Sequence, residues 1–190
     1  MDVLGILSAF GLSASAGLNA YIPLLVVALL AKFTHLIKLS QPWDALTSWW
    51  VIGVLLLLSL IEFFADKVPA VNHANDIIQT FVRPAAGAIL FAASANVITE
   101  VSPVLSIIAG ILVAGGIHAA KSLAVRPLVT ATTGGAGNVP VSIAEDIVST
   151  LVSIAAVVVP VLIACVLVLI TAWILWRWLR RARAAEKARA

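Results

Sequence analysis

Apolar residues run along this chain in long blocks, and its charged residues fall between the blocks or just inside their ends. Five blocks read as helical spans: residues 3–31, 49–65, 77–98, 104–123 and 147–176. A spanning helix needs about 20 apolar residues, with a range of roughly 17–25. The pattern predicts an all-α integral membrane protein with about five transmembrane helices forming one domain over residues 1–176. A basic tail follows at 177–190. The first and last blocks exceed a plain crossing. Residues 142–176 as one helix would extend about 50 Å, against a hydrocarbon core of about 30 Å. Pro160 interrupts this block and Pro23 interrupts the first. A proline in a helix interior removes a backbone hydrogen bond and kinks the axis, so a kinked or broken first and last helix is expected. Broken helices near the bilayer midplane are a recurrent transporter device.

The blocks also suggest an internal repeat. Residues 76–86, DIIQTFVRPAA, align without gaps on residues 146–156, DIVSTLVSIAA, with six identities that include the leading Asp. Two helical hairpins, 49–98 and 104–176, would then be related by an axis near the membrane normal, with Asp76 and Asp146 each beginning a helix. Ser142 and Glu145 have the spacing of a capping box, and acids at a helix start complement its dipole. Between spans four and five, Gly134, Gly135 and Gly137 mark a Gly-rich loop over about 130–141. It lacks the order of a phosphate-binding loop, and such backbone is tolerated at a membrane where it lines protein or water.

Composition sharpens this picture. The chain is 62% hydrophobic and 11% charged, with mean hydropathy +1.12. A soluble domain carries about a quarter charged residues, so a separate soluble domain is excluded. The net charge of +3 does not point to nucleic acid, because six of the twelve Lys and Arg lie in the terminal tail. That tail, from Arg177 to Arg189, reads as a cytoplasmic anchor facing anionic lipid. Five crossings then put the N-terminus outside, with Lys32 and Lys38 on the tail side and Lys67, Arg83, Lys121 and Arg126 opposite. Trp43, Trp49 and Trp50 mark one interface, and Trp173, Trp176 and Trp178 another. The first residues lack the positive start of a secretory signal and read as the first span. Cys165 stands alone in an apolar stretch, so neither disulfides nor a thiol–metal cluster is expected.

The candidate chemistry is in the charges. A charge at a bilayer centre costs roughly 2.5–3.5 kcal/mol on insertion scales, so it persists when paired, wet or functional. Glu62 and Asp66 share a face of span two beside Lys67; His118 and Lys121 share a face of span four, with Arg126 beyond. Acids on one hairpin opposite bases on the other suit both a buried pairing network and a proton relay, with Glu62 and His118 the pair expected to meet, directly or through Lys121. The candidate pathway is Asn19, Glu62, Asp66, Lys67, His73, Asp76, His118, Lys121, Glu145 and Asp146. Arg83 and Arg126 are candidates for holding loops or an anionic group. No metal-ligand spacing, nucleophile–base pair or cofactor motif appears, so no metal, cofactor or enzymatic activity is expected. On span one, Ser8, Gly11, Ser15 and Asn19 form a small polar stripe suited to close helix packing; Ala88, Ala92, Ala95 and Asn96 do the same on span three.

AGLNAYIPLL (16–25), EFFADKVPAVN (62–72), RPAAG (83–87), HAAKSLAVRPLV (118–129) and GNVPVSIAEDI (137–147) together resemble a bacterial membrane family catalogued as domain of unknown function 4126. The resemblance implies a polytopic membrane protein and carries no established substrate or reaction. The reading that follows is a multi-pass protein of the bacterial cytoplasmic membrane, its C-terminus cytoplasmic. It would be a small transporter or channel-like permease for an ion or small solute, in contact with membrane lipids and open to homo-oligomerisation. The alternative is a non-transporting module that binds lipid headgroups or partner membrane proteins.

Overall fold

The computed structural model describes residues 3–67, 69–95 and 102–187. Among them every regular element is helical: α1 (Val3–Leu18), α2 (Tyr21–Phe33), a 3₁₀ turn (Trp43–Thr47), α3 (Trp49–Ala65), α4 (Pro69–Ala95), α5 (Pro103–Ala120), α6 (Arg126–Thr133) and α7 (Asn138–Lys187). A π-helical turn, Lys121–Val125, joins α5 to α6. Among the described residues three stretches are long and apolar enough to cross a membrane: Asn75–Ser94, Pro103–Thr133 and Asn138–Pro160. Three apolar helices are shorter, Gly5–Leu18, Tyr21–Phe33 and Trp49–Ala65. These lengths fit a membrane protein.

The first block is broken, as expected, but at Asn19–Ala20 and not at Pro23. Asn19 Oδ1 accepts hydrogen bonds from the backbone N–H groups of Tyr21 (3.1 Å) and Ile22 (3.0 Å), which would otherwise be unpaired at the start of α2. Pro23 falls in the first turn of α2, where a missing N–H costs no helical bond. The last block is not broken. Pro160 lies within α7, which continues as helix from Asn138 to Lys187. Nor do Asp76 and Asp146 begin helices: α4 starts at Pro69 and α7 at Asn138, so both acids sit about two turns inside. Ser142 and Glu145 are likewise interior to α7, and their side chains turn to tertiary partners instead of closing a capping box. The Gly-rich loop narrows to residues 134–137, where Gly134 (φ 61°) ends α6 in the left-handed conformation and Gly135 (φ 92°) continues the turn.

α1 packs against α4, α5 and α7, and α4 packs along α5; α2 packs on α3 and α7. Small residues let these backbones approach, which drives helix association where water supplies no hydrophobic force. A Cβ on Gly87 would lie 2.4 Å from Ala114 Cβ and 2.7 Å from the Gly110 carbonyl; one on Gly17 would lie 2.6 Å from the Ala114 carbonyl. Gly11 meets Ala156 in the same way at 2.8 Å. Ser13 donates to the Gly87 carbonyl at 2.9 Å, tying α1 to α4 at that crossing. The span-one stripe therefore packs closely, as its spacing suggested. Of the matching span-three face, Ala88 and Ala92 are buried, while Asn96 lies outside the described residues.

Gly87→Ala should lower the thermal unfolding midpoint in detergent, because its Cβ has no room between α4 and α5. Gly116→Ala, whose Cβ would meet nothing within 4 Å, should leave the midpoint unchanged or raise it. Equal midpoints for the two variants would show that the α4–α5 contact is looser than described.

Candidate functional site

Three helix ends converge on one polar layer: the C-terminus of α1, the N-terminus of α2 and the C-terminus of α3. The long helices α4, α5–α6 and α7 run through it. At its most enclosed point Arg83 of α4, fully buried, donates from Nη2 to Glu62 Oε1 of α3 at 2.8 Å. Its Nη1 lies 3.1 Å from His118 Nδ1 on α5, and Thr80 Oγ1 lies 3.2 Å from the other ring nitrogen. Glu62 and His118 are thus brought together as the sequence suggested, with Arg83 as the intermediary and not Lys121. Arg83 therefore holds a carboxylate and an imidazole inside the bundle. Gln79, one turn before Arg83 and equally buried, faces the Tyr21 phenol.

A second hub forms on Arg126, which the π-helical turn delivers to the same layer. Nη2 donates to Asp66 Oδ2 at 3.0 Å and to Glu145 Oε2 at 3.4 Å; Nη1 reaches Asp76 Oδ2 at 3.4 Å. One guanidinium so collects carboxylates from three separate segments. Asp66 also accepts from Asn75 Nδ2 (2.8 Å) and Ser142 Oγ (3.3 Å). Lys121 pairs with Glu145 at 2.6 Å and donates to the Leu18 carbonyl at 3.0 Å. That second bond places a cation on the last carbonyls of α1, where the helix dipole favours it. A π turn is one residue wider than an α turn and often sits at functional positions. Here it separates Lys121 from Arg126 while keeping both on the layer.

Asp146 completes the layer, accepting from Asn19 Nδ2 at 3.0 Å and lying 3.7 Å from Lys67 Nζ. Beyond it, Ser15 Oγ contacts the hydroxyls of Ser149 (2.9 Å) and Ser153 (2.7 Å) in a fully buried seam between α1 and α7. Burial is graded. The Glu62 and Arg83 side chains are 1% and 0% exposed, whereas Lys67 and Asp76 are 18% and 23% exposed. The layer therefore approaches the surface at the α3–α4 connection. Of the sequence candidates, Asn19, Glu62, Asp66, Lys67, Asp76, Arg83, His118, Lys121, Arg126, Glu145 and Asp146 all meet here. The backbone of His73 belongs to α4, and its side chain lies outside the described residues. Among the described residues no group of three or more His, Cys, Asp or Glu is placed to hold a metal ion.

Sequence reasoning missed Gln79 and the Ser15–Ser149–Ser153 seam. A signal was present for both. Asp76, Gln79, Thr80 and Arg83 recur at helical spacing on α4, and so do Ser142, Asp146, Ser149 and Ser153 on α7.

The family model of a domain of unknown function (DUF4126) matches residues 6–181, and the chain belongs to that family. The match takes in every residue of the polar layer and ends within the basic tail. No curated protein and no solved structure matches.

Removing one partner of a buried ion pair typically costs about 3–5 kcal/mol in soluble interiors, while exposed pairs contribute about 0–1 kcal/mol. Arg126→Met takes the cation from Asp66 and Asp76, while Glu145 keeps Lys121, and should destabilise the protein far more than Lys67→Met, whose longer contact sits nearer the surface. Denaturant titration in detergent measures both. Equal losses would mean that Arg126 does not organise the layer.

Proposed function

We propose that this chain is a multi-pass membrane protein that moves a proton or small cation, with the ion-pair layer as its exchange site. The observation that carries the reading is a charge mismatch. Among the described residues the layer joins five carboxylates, Glu62, Asp66, Asp76, Glu145 and Asp146, to four fixed cations, Lys67, Arg83, Lys121 and Arg126. The formal charge of these groups is −1 with His118 neutral, and one proton on a carboxyl, or one bound cation, brings it to zero. An uncompensated charge within a bundle of apolar helices is costly, so the layer favours taking up one positive charge. Arg83 can only donate, so His118 Nδ1 accepts from it and the ring is held neutral, which leaves a carboxyl of the layer to take up that charge.

The layer also keeps acceptors in reserve. Among the described residues, Glu62 Oε2, Gln79 Oε1, Asp76 Oδ1 and Asp146 Oδ2 are buried atoms without a hydrogen bond, Asp146 Oδ2 lying 3.7 Å from Lys67 Nζ. In the proposed sequence of events a proton or cation enters past Asp76 and Lys67, where exposure is greatest. It then reaches Asp66, Glu145 and Asp146, and exchanges with Glu62. The setting proposed is the bacterial cytoplasmic membrane, with the basic tail on the cytoplasmic face and the two hairpins as an internal repeat.

A second reading has its own support. Every acid of the layer contacts a cation, and the Glu62–Arg83 pair is fully buried. A locked network of this kind suits a non-transporting module that binds lipid or partner proteins.

Reconstitution into liposomes containing a pH-sensitive dye separates the two. Ion exchange predicts proton or monovalent-cation flux above empty vesicles. It also predicts that Asp146→Asn, which removes the unmatched negative charge and can still accept from Asn19, stays folded yet loses that flux. Folded wild-type protein that gives no flux of protons or of a panel of cations would overturn the transport reading in favour of the module.

A further inference from the structure

We propose that the outward face of α3 is a binding groove for an anionic phospholipid of the bilayer, with an acyl chain over Gly53 and the phosphate beside Lys32. The groove measures about 460 Å³ and is lined by Trp49, Trp50, Gly53, Val54 and Leu57. These positions form one stripe of the helix, opposite the face that buries Ile52, Leu55 and Glu62 in the bundle. Gly53 is the floor. At Gly11, Gly17, Gly87 and Gly110 an added Cβ would strike a neighbouring helix, so those glycines serve packing within the chain. A Cβ on Gly53 would meet nothing within 4 Å. Glycine in a helix interior costs backbone entropy that alanine avoids, and nothing inside the molecule compensates for it here. The missing side chain leaves a notch between exposed Trp50 and Leu57.

The end of the groove is basic. Lys32 Nζ sits 4.4 Å from the centroid of the Trp49 ring and donates one hydrogen to the Thr47 carbonyl at 2.7 Å. Two of its three N–H donors are left for another acceptor. Phe33 packs edge-on against Trp49, with ring centroids 5.9 Å apart, and fixes the aromatic wall. The connection from α2 to α3 adds exposed His35 and Lys38, against the single acid Asp44. A tryptophan pair and a lysine at one end of an apolar helix face match the interfacial level of a bilayer, where phosphate and the start of an acyl chain lie together. The apolar floor takes the chain, and the lysine selects the charge of the headgroup.

Native mass spectrometry of the purified full chain, exchanged with phosphatidylglycerol or phosphatidylcholine, tests the site. Wild-type protein should retain phosphatidylglycerol in preference to phosphatidylcholine. Gly53→Leu fills the notch and should lose most retention of both lipids, while Gly53→Ala, which only narrows it, should retain more. Lys32→Gln should keep phosphatidylcholine retention and lose the preference for the anionic lipid. Gly53 lies on an exposed face and Lys32 is half-buried, and thermal midpoints near that of the wild type confirm that each variant is folded. Undiminished lipid retention by Gly53→Leu would overturn the proposal. So would a change from dimer to monomer in that variant without loss of lipid, which would make a second copy of the chain the occupant.

Discussion

Burying the Arg83 guanidinium is the constraint on which the rest of this structure depends. A charged group within a bundle of apolar helices is tolerated when opposite charge and hydrogen-bond partners are already in place. Glu62 supplies the charge from the end of α3, and His118 supplies a ring nitrogen from α5. Three helices must meet at one height for that to happen. Gly87 and Gly110 serve the same end, since without their close approach α4 and α5 would stand too far apart for Arg83 to reach His118. The ionic contact and the small-residue contact lie about one turn apart on α4 and support each other.

The ends of the short helices follow from the same layer. α1 stops where Lys121 takes its terminal carbonyl, and α2 begins where Asn19 takes the first N–H groups. α3 stops at Asp66, whose carboxylate Arg126 holds. Exposed backbone groups are expensive away from water, so helix ends in this setting gather where polar side chains can satisfy them. The layer provides those partners. It binds two kinds of charge, the side chains and the partial charges of helix termini, and the broken first block is the visible result.

Much of this was legible in the sequence. The all-helical class, the break in the first block and the meeting of Glu62 and Asp66 with His118, Lys121 and Arg126 all followed from apolar runs and the spacing of charges. The errors have a common physical origin. Asp76, Ser142, Glu145 and Asp146 looked like helix-start residues because acids and serines are good local caps. In the fold their side chains have tertiary partners, and the helices begin two turns earlier. Proline was read as the breaker at Pro23, but a proline in a first turn breaks nothing, and Asn19 set the boundary instead. Arg83 was expected to hold loops or an anionic group, and a lone arginine beside a proline does not name its partner. Its role appears only when Glu62, 21 residues before it, and His118, 35 residues after it, are brought to the same height. The seam of Ser15, Ser149 and Ser153 was hidden for the same reason, since its members are more than 130 positions apart in pairing.

The pairing of Arg83 with Glu62 is most directly tested by a double-mutant cycle on stability in detergent, using Glu62→Gln, Arg83→Met and the two together. Each single substitution should cost on the order of 3–5 kcal/mol, less where the membrane environment softens the penalty. The double variant should be well above the sum of the single losses in stability, because removing both charges leaves neither stranded. Additive losses, or single variants as stable as the wild type, would contradict an Arg83-centred layer.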